Sequence, residues 1–433
     1  MKKRIIFILL CACLLLAGCQ KPVQPDIRLP EAEAVTAQAP QENTQEEAVL
    51  TLGVIDFDSE KELLRSFIQR YNASGAGVKI EILNYADGTE SRADAATRMT
   101  TALMAGAVPD LLDCSGLSGA QYAGYAKNGI LLPLDEVQTE DFLPGVLEPC
   151  RVDGQLYSVV GAFALDPLFG PAEKLGASLE TSAIDVLRGE VPGVHFVWGG
   201  KDLLGVYCRH AAEQFLDYDT QTASFESEEF VDILTACAQI APSELGPDSI
   251  MQQPMRSVNM YRQMRNSWYQ QTGSAFCVLA IDQSGGTAYQ PILQLGVCAG
   301  SENREAAQAA LSAMLDGAFQ QTIVDAFPVN RTVLREQMQK EIEVQKSEQQ
   351  TAIREEGRVE IGEAGDLAFL FDEAAAGDLM NVLEHVNCRA CGNQEILTII
   401  LEEADAFFKG QKTAQEAAQV MDRRAALFIA EAG

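Results

Sequence analysis

The chain has 433 residues, 47% apolar and 22% charged, which is enough for two domains with full-sized cores and excludes disorder as the dominant state. Its 62 acidic against 32 basic residues give a formal charge of −30, which excludes nucleic acid as a partner because such a chain repels phosphate backbones. Three histidines leave few candidates for imidazole chemistry, and the eleven cysteines are too scattered for a compact disulfide scaffold.

The first residues have the charge and polarity order of a signal peptide. Three basic residues among the first four precede an apolar run at 5–16, which is too short to span a bilayer comfortably. The sequence Leu16-Ala17-Gly18-Cys19 then resembles a bacterial lipobox. This resemblance implies a lipoprotein whose Cys19 carries acyl chains, palmitate among them, and is held at the outer face of the cell membrane. The alternative is an ordinary secretory signal with an incidental cysteine.

A polar linker follows the lipobox. Residues 20–48 contain four prolines among Gln, Glu, Ala and Thr, with almost no bulky apolar residue, which predicts a disordered segment. As a flexible tether it has a root-mean-square span of roughly 30 Å. Loss of residues 1–18 removes three positive charges and takes the formal charge from −30 to −33, so we expect acyl chains and not electrostatic attraction to hold the protein at the membrane.

The folded body begins with alternating strand and helix patterns. Residues 49–55 form an apolar, β-branched run that predicts a buried strand, 78–82 alternate as a second strand, and 109–113 form a third. Helical patterns occupy the intervals between these runs. This β-α-β-α-β order predicts an α/β fold with a mostly parallel sheet and right-handed crossovers.

Capping signals mark the helices at both ends of the chain. Ser59 and Glu62 form a capping-box pattern before apolar residues at helical spacing, and the second helix is predicted at about 93–105. Thr413 and Glu416 repeat the capping box near the end of the chain. We therefore expect a helix to begin at each of these two boxes.

Several segments resemble one family when they are taken in order. Residues 96–112 (ATRMTTALMAGAVPDLL), 125–136 (YAKNGILLPLDE) and 153–159 (DGQLYSV) are similar to the first lobe of extracellular solute-binding proteins of the maltose-binding type, family 1. The later segments 295–311 and 327–330 are similar to that family's return strand, with its following helix, and to its second crossover. The chain after 396 resembles the closing helices, whereas the family's usual strand is not recognisable between 173 and 292.

The resemblance implies a periplasmic-binding-protein type II-like fold of two α/β lobes around a solute cleft. Lobe one would comprise 49–161 and 291–328, and lobe two 162–290 and 329–433. Closure of the lobes would bend the two crossing segments. The hinge residues it implies are Gly161, Ala162, Phe163, Val329 and Asn330.

A sugar or other polyol needs aromatic faces for its rings and planar polar groups for its hydroxyls. Strand ends and lobe-two aromatics supply the candidates for such contacts, because ligands of α/β sheets lie beyond the carboxyl ends of the strands. For each acid the competing interpretation is a helix cap, and for each aromatic it is a core side chain. The candidate ligand contacts are Asp56, Phe57, Asp58, Tyr85, Ser115, Leu117, Phe163, Trp198, Trp268 and Tyr269.

One cluster has metal-like spacing. His385, Cys388 and Cys391 lie three residues apart, but zinc requires a fourth ligand that the neighbouring sequence does not supply. A redox pair should open a helix after a strand, and the remaining interpretation is a pair of small residues at a helix boundary. We expect no metal and no cofactor, and we expect most of the remaining cysteines to be buried thiols.

No motif of a common enzyme class is present. The chain lacks a nucleophile elbow, a zinc-protease helix, a P-loop and a dinucleotide fingerprint, and we expect a binding protein without catalysis. The resemblance implies a monomer that captures a sugar or oligosaccharide and delivers it to ABC permease subunits in the same membrane. Two alternatives stay open: a lipoprotein that senses a ligand without transport, and a secreted glycosidase, which needs only two carboxylates.

Overall fold

The structure is a computed structural model that describes residues 48–55, 61–89, 91–135, 137–356, 371–390 and 393–432, without the side chains of 93, 348–356 and 432. The signal peptide, Cys19 and residues 20–47 of the tether lie outside these ranges. So do Asp56, Phe57, Asp58 and Cys391. Within the described ranges, none of the helices combines the length and the apolar character that a membrane crossing requires.

Fifteen strands and fifteen helices occupy the described ranges. The strands are β1 (Ala48–Val54), β2 (Val78–Asn84), β3 (Leu111–Asp113), β4 (Arg151–Val152), β5 (Gln155–Leu156), β6 (Ser158–Leu165), β7 (Leu168–Pro171), β8 (His195–Phe196), β9 (Leu216–Asp217), β10 (Thr222–Ala223), β11 (Ser249–Gln252), β12 (Phe276–Val278), β13 (Thr287–Val297), β14 (Phe327–Pro328) and β15 (Val386–Arg389). The helices are α1 (Glu62–Ala73), α2 (Arg92–Met104), α3 (Gly119–Lys127), α4 (Pro144–Leu147), α5 (Ala172–Leu175), α6 (Ala183–Leu187), α7 (Gly200–Ala211), α8 (Glu228–Cys237), α9 (Val258–Thr272), α10 (Arg304–Leu315), α11 (Gly317–Gln320), α12 (Arg331–Glu356), α13 (Glu373–Glu384), α14 (Gln394–Phe408) and α15 (Ala414–Ala432).

The larger sheet has the strand order β14-β6-β13-β3-β1-β2, with β15 added against β13. β1 pairs in parallel with β2 and β3, which confirms the β-α-β-α-β prediction. β13 runs antiparallel to β3 and β6, and β14 runs antiparallel to β6. The sheet is therefore mixed, and the prediction of a mostly parallel sheet is wrong because the strands that leave and re-enter lobe one run in opposite directions.

The smaller sheet has the order β12-β7-β11-β8 and forms the centre of lobe two. Its β11 is parallel to β8 and antiparallel to β7. We call the larger sheet with α1–α4, α10 and α11 lobe one, and the smaller sheet with α5–α9, α14 and α15 lobe two; α12 packs against α9 and α13. The long strands β6 and β13 cross between the lobes, and the predicted boundaries at 161/162 and 290/291 fall within them.

Three hydrophobic cores hold these layers. One core lies under α2 and α3 around Met99 and Leu112, and a second fills lobe two around Phe196 and Phe230. The third extends from the larger sheet along β6 and β13 to α9, α12 and α13. The crossing strands are therefore packed on side chains of both lobes along their length, including the fully buried Phe163.

The structure tests one of the two predicted capping boxes. Thr413 and Glu416 exchange hydrogen bonds between side chains and backbone amides, which confirms the capping box before α15. At α1 the N-cap is Lys61, whose side chain does not cap the helix. The predicted capping box of Ser59 and Glu62 stays a prediction because Ser59 lies outside the described residues, and Lys61 directs its ammonium group to Asp113 of lobe one.

Candidate functional site

A cavity of about 520 Å³ lies between lobe one and lobe two beside β15. Its volume lies within the range of small-molecule sites. Eight of its sixteen lining residues carry charged or amide side chains, the kind of group that can pair with the hydroxyls of a solute. The lining residues are Gly119, Tyr122, Ala123, Pro149, Arg151, Val152, Asp153, Glu213, Gln214, Leu216, Asp217, Tyr218, Asp219, Asn387, Cys388 and Arg389.

The lobe-one wall consists of the start of α3 and the β4–β5 hairpin. Ser118 and Gln121 form a reciprocal capping box that fixes the first turn of α3. The hairpin turns at Asp153 and Gly154, which both have positive φ angles of 50° and 78°, as a tight two-residue hairpin turn requires. This turn places Arg151 and Asp153 in the lining of the cavity. The pairing of β4 with β5 confirms a hairpin at the start of the predicted segment 153–159.

The lobe-two wall consists of the turn at 212–215 and the β9–β10 hairpin. Asp217 accepts hydrogen bonds from the backbone amides of Asp219 at 2.8 Å and Thr220 at 2.9 Å. Hydrogen bonds from the backbone and the side chain of Thr220 are the main cause of the lowered pKa of Asp217. The Tyr218 hydroxyl donates to Glu213 at 2.6 Å and so fixes the direction of its ring.

Two contacts join these walls directly. Lys127 Nζ lies 2.5 Å from Asp219 Oδ1 and donates to the Tyr218 carbonyl at 3.2 Å. The Tyr218 ring lies over Gly119, where an added Cβ would come within 2.6 Å of Tyr218 Cε2. A glycine at this position is therefore what permits the ring of lobe two to approach the helix start of lobe one.

Arg389 holds the loop that follows β3. Its Nη2 donates to the carbonyls of Cys114 at 3.3 Å, Ser115 at 3.1 Å and Leu117 at 2.8 Å. Carbonyls in a loop at the edge of a sheet have no strand partner, and a guanidinium group satisfies several at once. The loop that the sequence marked for ligand contact is thus tied to β15, and Arg389 itself lines the cavity.

The predicted lobe-one contacts lie outside this lining. Ser115 donates to Asp113 at 2.6 Å and accepts from Lys61 at 2.7 Å, so its hydroxyl serves an internal ion pair. Leu117 and Tyr85 are buried in the core under α2 and α3. Burial raises the pKa of Tyr85, whose hydroxyl has no hydrogen-bond partner among the described residues. Neither side chain lines the cavity, because both have almost no free surface, and their role as ligand contacts stays a prediction.

The predicted lobe-two aromatics are also displaced from the cavity. Phe163 packs between Tyr289 and Phe327, with ring centroids 6.0 Å and 5.6 Å away, and has no exposed surface. Trp268 is buried against Phe169 at a centroid distance of 5.5 Å. Both rings fill the third core and do not line the cavity, and their role as ligand contacts stays a prediction. Trp198 packs partly buried on the lobe-two core, Tyr269 is half-buried on α9, and neither lines the cavity.

The sequence prediction missed the residues that line the cavity. Tyr218 and Arg389 come from segments 171 positions apart, and neither stands in a local motif. The only signal was the sequence Asp217-Tyr218-Asp219-Thr220, whose first acid is typical of a turn that hydrogen-bonds its own backbone. A turn of that kind predicts a hairpin but not its position against the other lobe.

The predicted hinge residues lie side by side. Val329 donates its amide to the Gly161 carbonyl at 3.3 Å, and Ala162 and Phe163 pair with β14. The Asn330 side chain accepts hydrogen bonds from backbone amides in the first turn of α12. The Gln320 side-chain amide also donates to the Gly161 carbonyl, at 2.9 Å. The two crossing segments are therefore adjacent strands, a place where a small change of dihedral angle would move one lobe against the other; their role as a hinge stays a prediction.

Of the predicted His385–Cys391 cluster, His385 precedes β15 and Cys388 lies within it, whereas Cys391 lies outside the described residues. His385 is exposed and its Nδ1 lies 2.8 Å from the Asn381 carbonyl, while Cys388 Sγ donates to the His210 carbonyl at 3.6 Å. Burial raises the pKa of the Cys388 thiol to about 12. Among the described residues no three His, Cys, Asp or Glu side chains are grouped as metal ligands would be.

Comparisons with known proteins agree on the architecture. No protein-family model and no curated protein matches the chain. Among solved structures, the sugar-binding protein MalE of Xanthomonas citri has a TM-score of 0.58 at 16% identity, over 89% of this chain and 98% of its own. A family 1 extracellular solute-binding protein of Alicyclobacillus acidocaldarius has a TM-score of 0.54 at 13% identity, over 88% and 98%.

A third structure is similar to the same extent. The periplasmic oligogalacturonide-binding protein of Yersinia enterocolitica has a TM-score of 0.54 at 12% identity, over 89% of this chain and the whole of its own. Each likeness covers 88–89% of this chain. The chain therefore has the two-lobed fold of the family 1 extracellular solute-binding proteins.

Proposed function

We propose that the protein captures a small solute, a sugar or oligosaccharide, in the cavity between its lobes and delivers it to an ABC importer. The observation that carries the proposal is the cavity of about 520 Å³, which side chains of both lobes line. A solute that contacts both walls favours the closed form, because only that form offers all its contacts at once. Sugar ligands are the class named for MalE and for the oligogalacturonide-binding protein, and the shared fold extends the proposal to this chain.

Binding without catalysis is part of the proposal. A glycosidase needs one carboxyl group with a raised pKa to act as the general acid. The cavity carboxyl with a resolved shift is Asp217, and hydrogen bonds from Thr220 lower its pKa. Asp217 is therefore suited to accept hydrogen bonds from a ligand and unsuited to donate a proton.

Attachment to the outer face of the membrane through Cys19 is also part of the proposal. The supporting observation is the order of basic residues, apolar run and lipobox at the start of the chain. Replacement Cys19→Ala in the producing cell is expected to release the protein from the membrane fraction. Retention of the variant in that fraction at the wild-type level would contradict lipid attachment.

Thermal unfolding of the chain from residue 20 onward, with a panel of neutral and acidic sugars, tests the proposed ligand class. A ligand present at a hundred times its Kd stabilises the folded state by about 2.7 kcal/mol, which raises the Tm by several degrees. We expect at least one sugar to give such a rise and Arg151→Gln to diminish it. Arg423→Gln, on an exposed face of α15, is the matched control. A rise with amino acids, peptides or polyamines and with no sugar would overturn the carbohydrate proposal.

A further inference from the structure

A polar cluster of lobe two contacts the cavity wall through Cys388. It combines Asp166 from the turn between β6 and β7, Gln252 at the end of β11, and Arg209 with His210 from the last turn of α7. Gln252 pairs with the first residue of β7, so Asp166 and Gln252 lie at one edge of the smaller sheet. This edge contains the carboxyl end of β11, which is where α/β sheets bind ligands. We call these four residues the Asp166–His210 cluster.

Gln252 is the centre of the cluster. Its Nε2 lies 2.5 Å from Asp166 Oδ2 and 2.9 Å from His210 Nε2, and its Oε1 accepts from Arg209 Nη2 at 3.4 Å. A carboxylate accepts and a guanidinium donates, so these partners fix the orientation of the amide. The amide nitrogen therefore donates to His210 Nε2, and the proton of the neutral imidazole is on Nδ1.

Two polar atoms of the cluster lack a partner among the described residues. They are Asp166 Oδ1, an acceptor, and His210 Nδ1, which carries a hydrogen to donate. Both atoms are buried, and the His210 side chain is 2% exposed. Burial, with the nearby Arg209 charge, lowers the pKa of His210 to about 4, so the ring is neutral at pH 7. Buried polar groups without partners are costly, and they indicate an occupant that is absent from the protein itself.

The two unpartnered atoms restrict the chemistry of that occupant. An ammonium group could donate to Asp166 but could not accept from His210. A carboxylate or phosphate could accept from His210 but would be repelled by Asp166. A hydroxyl group both donates and accepts, and two neighbouring hydroxyls of a polyol can serve both atoms. The two atoms therefore match a neutral polyol and match neither a lone cation nor a lone anion.

The cluster is connected to the cavity and to solvent. Cys388 lines the cavity and donates to the His210 carbonyl at 3.6 Å, and Glu213 lies three residues beyond His210 in the cavity wall. On the other side, the Arg209 side chain is exposed and Gln252 is only partly buried. Cys388 therefore belongs both to the cavity wall and to the immediate surroundings of His210.

We propose that the Asp166–His210 cluster is a hydroxyl-recognition subsite of the cleft, in which Asp166 accepts from and His210 donates to hydroxyls of a neutral sugar. This inference rests on the proposed function, since it assigns a ligand group to lobe two of the same cleft. It adds a lobe-two contact made of a carboxylate and an imidazole, in a region where the sequence had pointed only to aromatic side chains.

The test combines a variant with deoxy analogues of the ligand. The sugar that most raises the Tm of the wild-type protein, from a panel that includes glucose, galactose and maltose, is titrated by calorimetry together with its single-deoxy analogues. Asp166→Asn, which keeps the shape and removes the charge, is compared with the wild type and with the exposed control Asp232→Asn on α8. Unfolding midpoints of all three proteins show that they are folded, and Gln252→Leu provides a second variant that also removes the bond to His210.

We expect Asp166→Asn to weaken binding of the parent sugar by roughly tenfold or more, and Asp232→Asn to leave it unchanged. One deoxy analogue should bind the wild type as weakly as the parent sugar binds Asp166→Asn. The affinity of this analogue should be almost the same for Asp166→Asn as for the wild type. Equal losses for every analogue in both proteins, or unchanged affinity in Asp166→Asn and Gln252→Leu, would overturn the subsite and would show that water alone fills it. Absence of any sugar binding to wild type would instead overturn the proposed function.

Discussion

Lys127 Nζ lies 2.5 Å from Asp219 Oδ1, and this ion pair joins α3 of lobe one to the β9–β10 hairpin of lobe two. Both side chains are partly or largely exposed, so the pair contributes at most about 1 kcal/mol. A contribution of that size changes the ratio of two conformations about fivefold. The pair is therefore strong enough to bias closure of the lobes and weak enough to be reversed.

Lys127→Ala is expected to shift the ligand-free protein toward an open form. The radius of gyration from small-angle X-ray scattering should be larger for the variant than for the wild type. This difference should shrink as added salt screens the ion pair of the wild type. Lys409→Ala is the matched control, because Lys409 pairs with Asp405 within α14 and cannot link the lobes. An equal increase in both variants would mean that the Lys127 pair has no part in closure.

Gly119→Ala is expected to displace the Tyr218 ring. The added methyl group would lie within 2.6 Å of that ring, whose movement would break its bond to Glu213. We expect a destabilisation of about 1 kcal/mol in the wild-type background. In a Tyr218→Ala background the same change should be neutral or slightly stabilising, because alanine is favoured over glycine in helices. Urea unfolding of the four proteins measures this coupling, and identical effects in both backgrounds would rule out the contact.

Local pattern was sufficient for much of lobe one. The apolar run at 49–55 and the alternation at 78–82 correspond to β1 and β2 because each pattern reports burial of the strand itself. The capping box of Thr413 and Glu416 is confirmed for the same reason, since both partners lie within one turn. The capping box of Ser59 and Glu62 stays a prediction because Ser59 lies outside the described residues, whereas the ion pair of Lys61 with Asp113, 52 residues away, is a contact that no local pattern contains.

The cavity residues could not be predicted from local pattern. The Tyr218 ring is positioned by its contact with Gly119 of the other lobe, and the Arg389 side chain by hydrogen bonds to backbone carbonyls near residue 115. The burial of Trp268, in contrast, could be predicted from the sequence. Val258, Tyr261 and Met264 precede it at helical intervals on the buried face of α9, which is typical of a core residue.

Arg389→Gln is expected to destabilise the protein by about 1–3 kcal/mol, because three loop carbonyls lose a charged donor. The amides of 114–118 should exchange hydrogen faster, since the loop would open locally. Urea unfolding and hydrogen-exchange mass spectrometry measure the two effects. Arg423→Gln is the control, because Arg423 is exposed and bonds to Gln419 on its own helix. Unchanged exchange at 114–118 would show that Arg389 does not hold the loop.

The seven cysteines of the described residues are expected to react slowly with thiol reagents. None of the seven forms a disulfide with another described residue, and six are buried. Burial raises the pKa to about 12 for Cys237, Cys277, Cys298 and Cys388, so the reactive thiolate is scarce at pH 8. Mass-spectrometric mapping after brief labelling should find Cys388 modified first, and the buried six only in denaturant. Rapid native labelling of any buried thiol would show that its core opens.

His210 makes the free energy of unfolding depend on pH. Burial and the Arg209 charge lower its pKa to about 4 in the folded state, whereas an unfolded histidine titrates near 6.5. Between these values the unfolded chain binds the extra proton, so the stabilisation is present above pH 6.5 and is lost as the pH falls toward 4. The loss is on the order of 3 kcal/mol.

The His210→Phe variant keeps the size of the buried ring and cannot take up the proton. Between pH 7 and pH 4 its free energy of unfolding is expected to fall by about 3 kcal/mol less than that of the wild type. At pH 7 the variant is less stable than the wild type, because Gln252 loses an acceptor. Asp166 acts in the opposite direction, since burial raises its pKa and favours its protonated form at low pH. The difference between wild type and His210→Phe isolates the histidine. His385→Phe, which replaces an exposed ring, is the control, and parallel pH profiles for wild type and His210→Phe would show that the buried imidazole is not linked to folding.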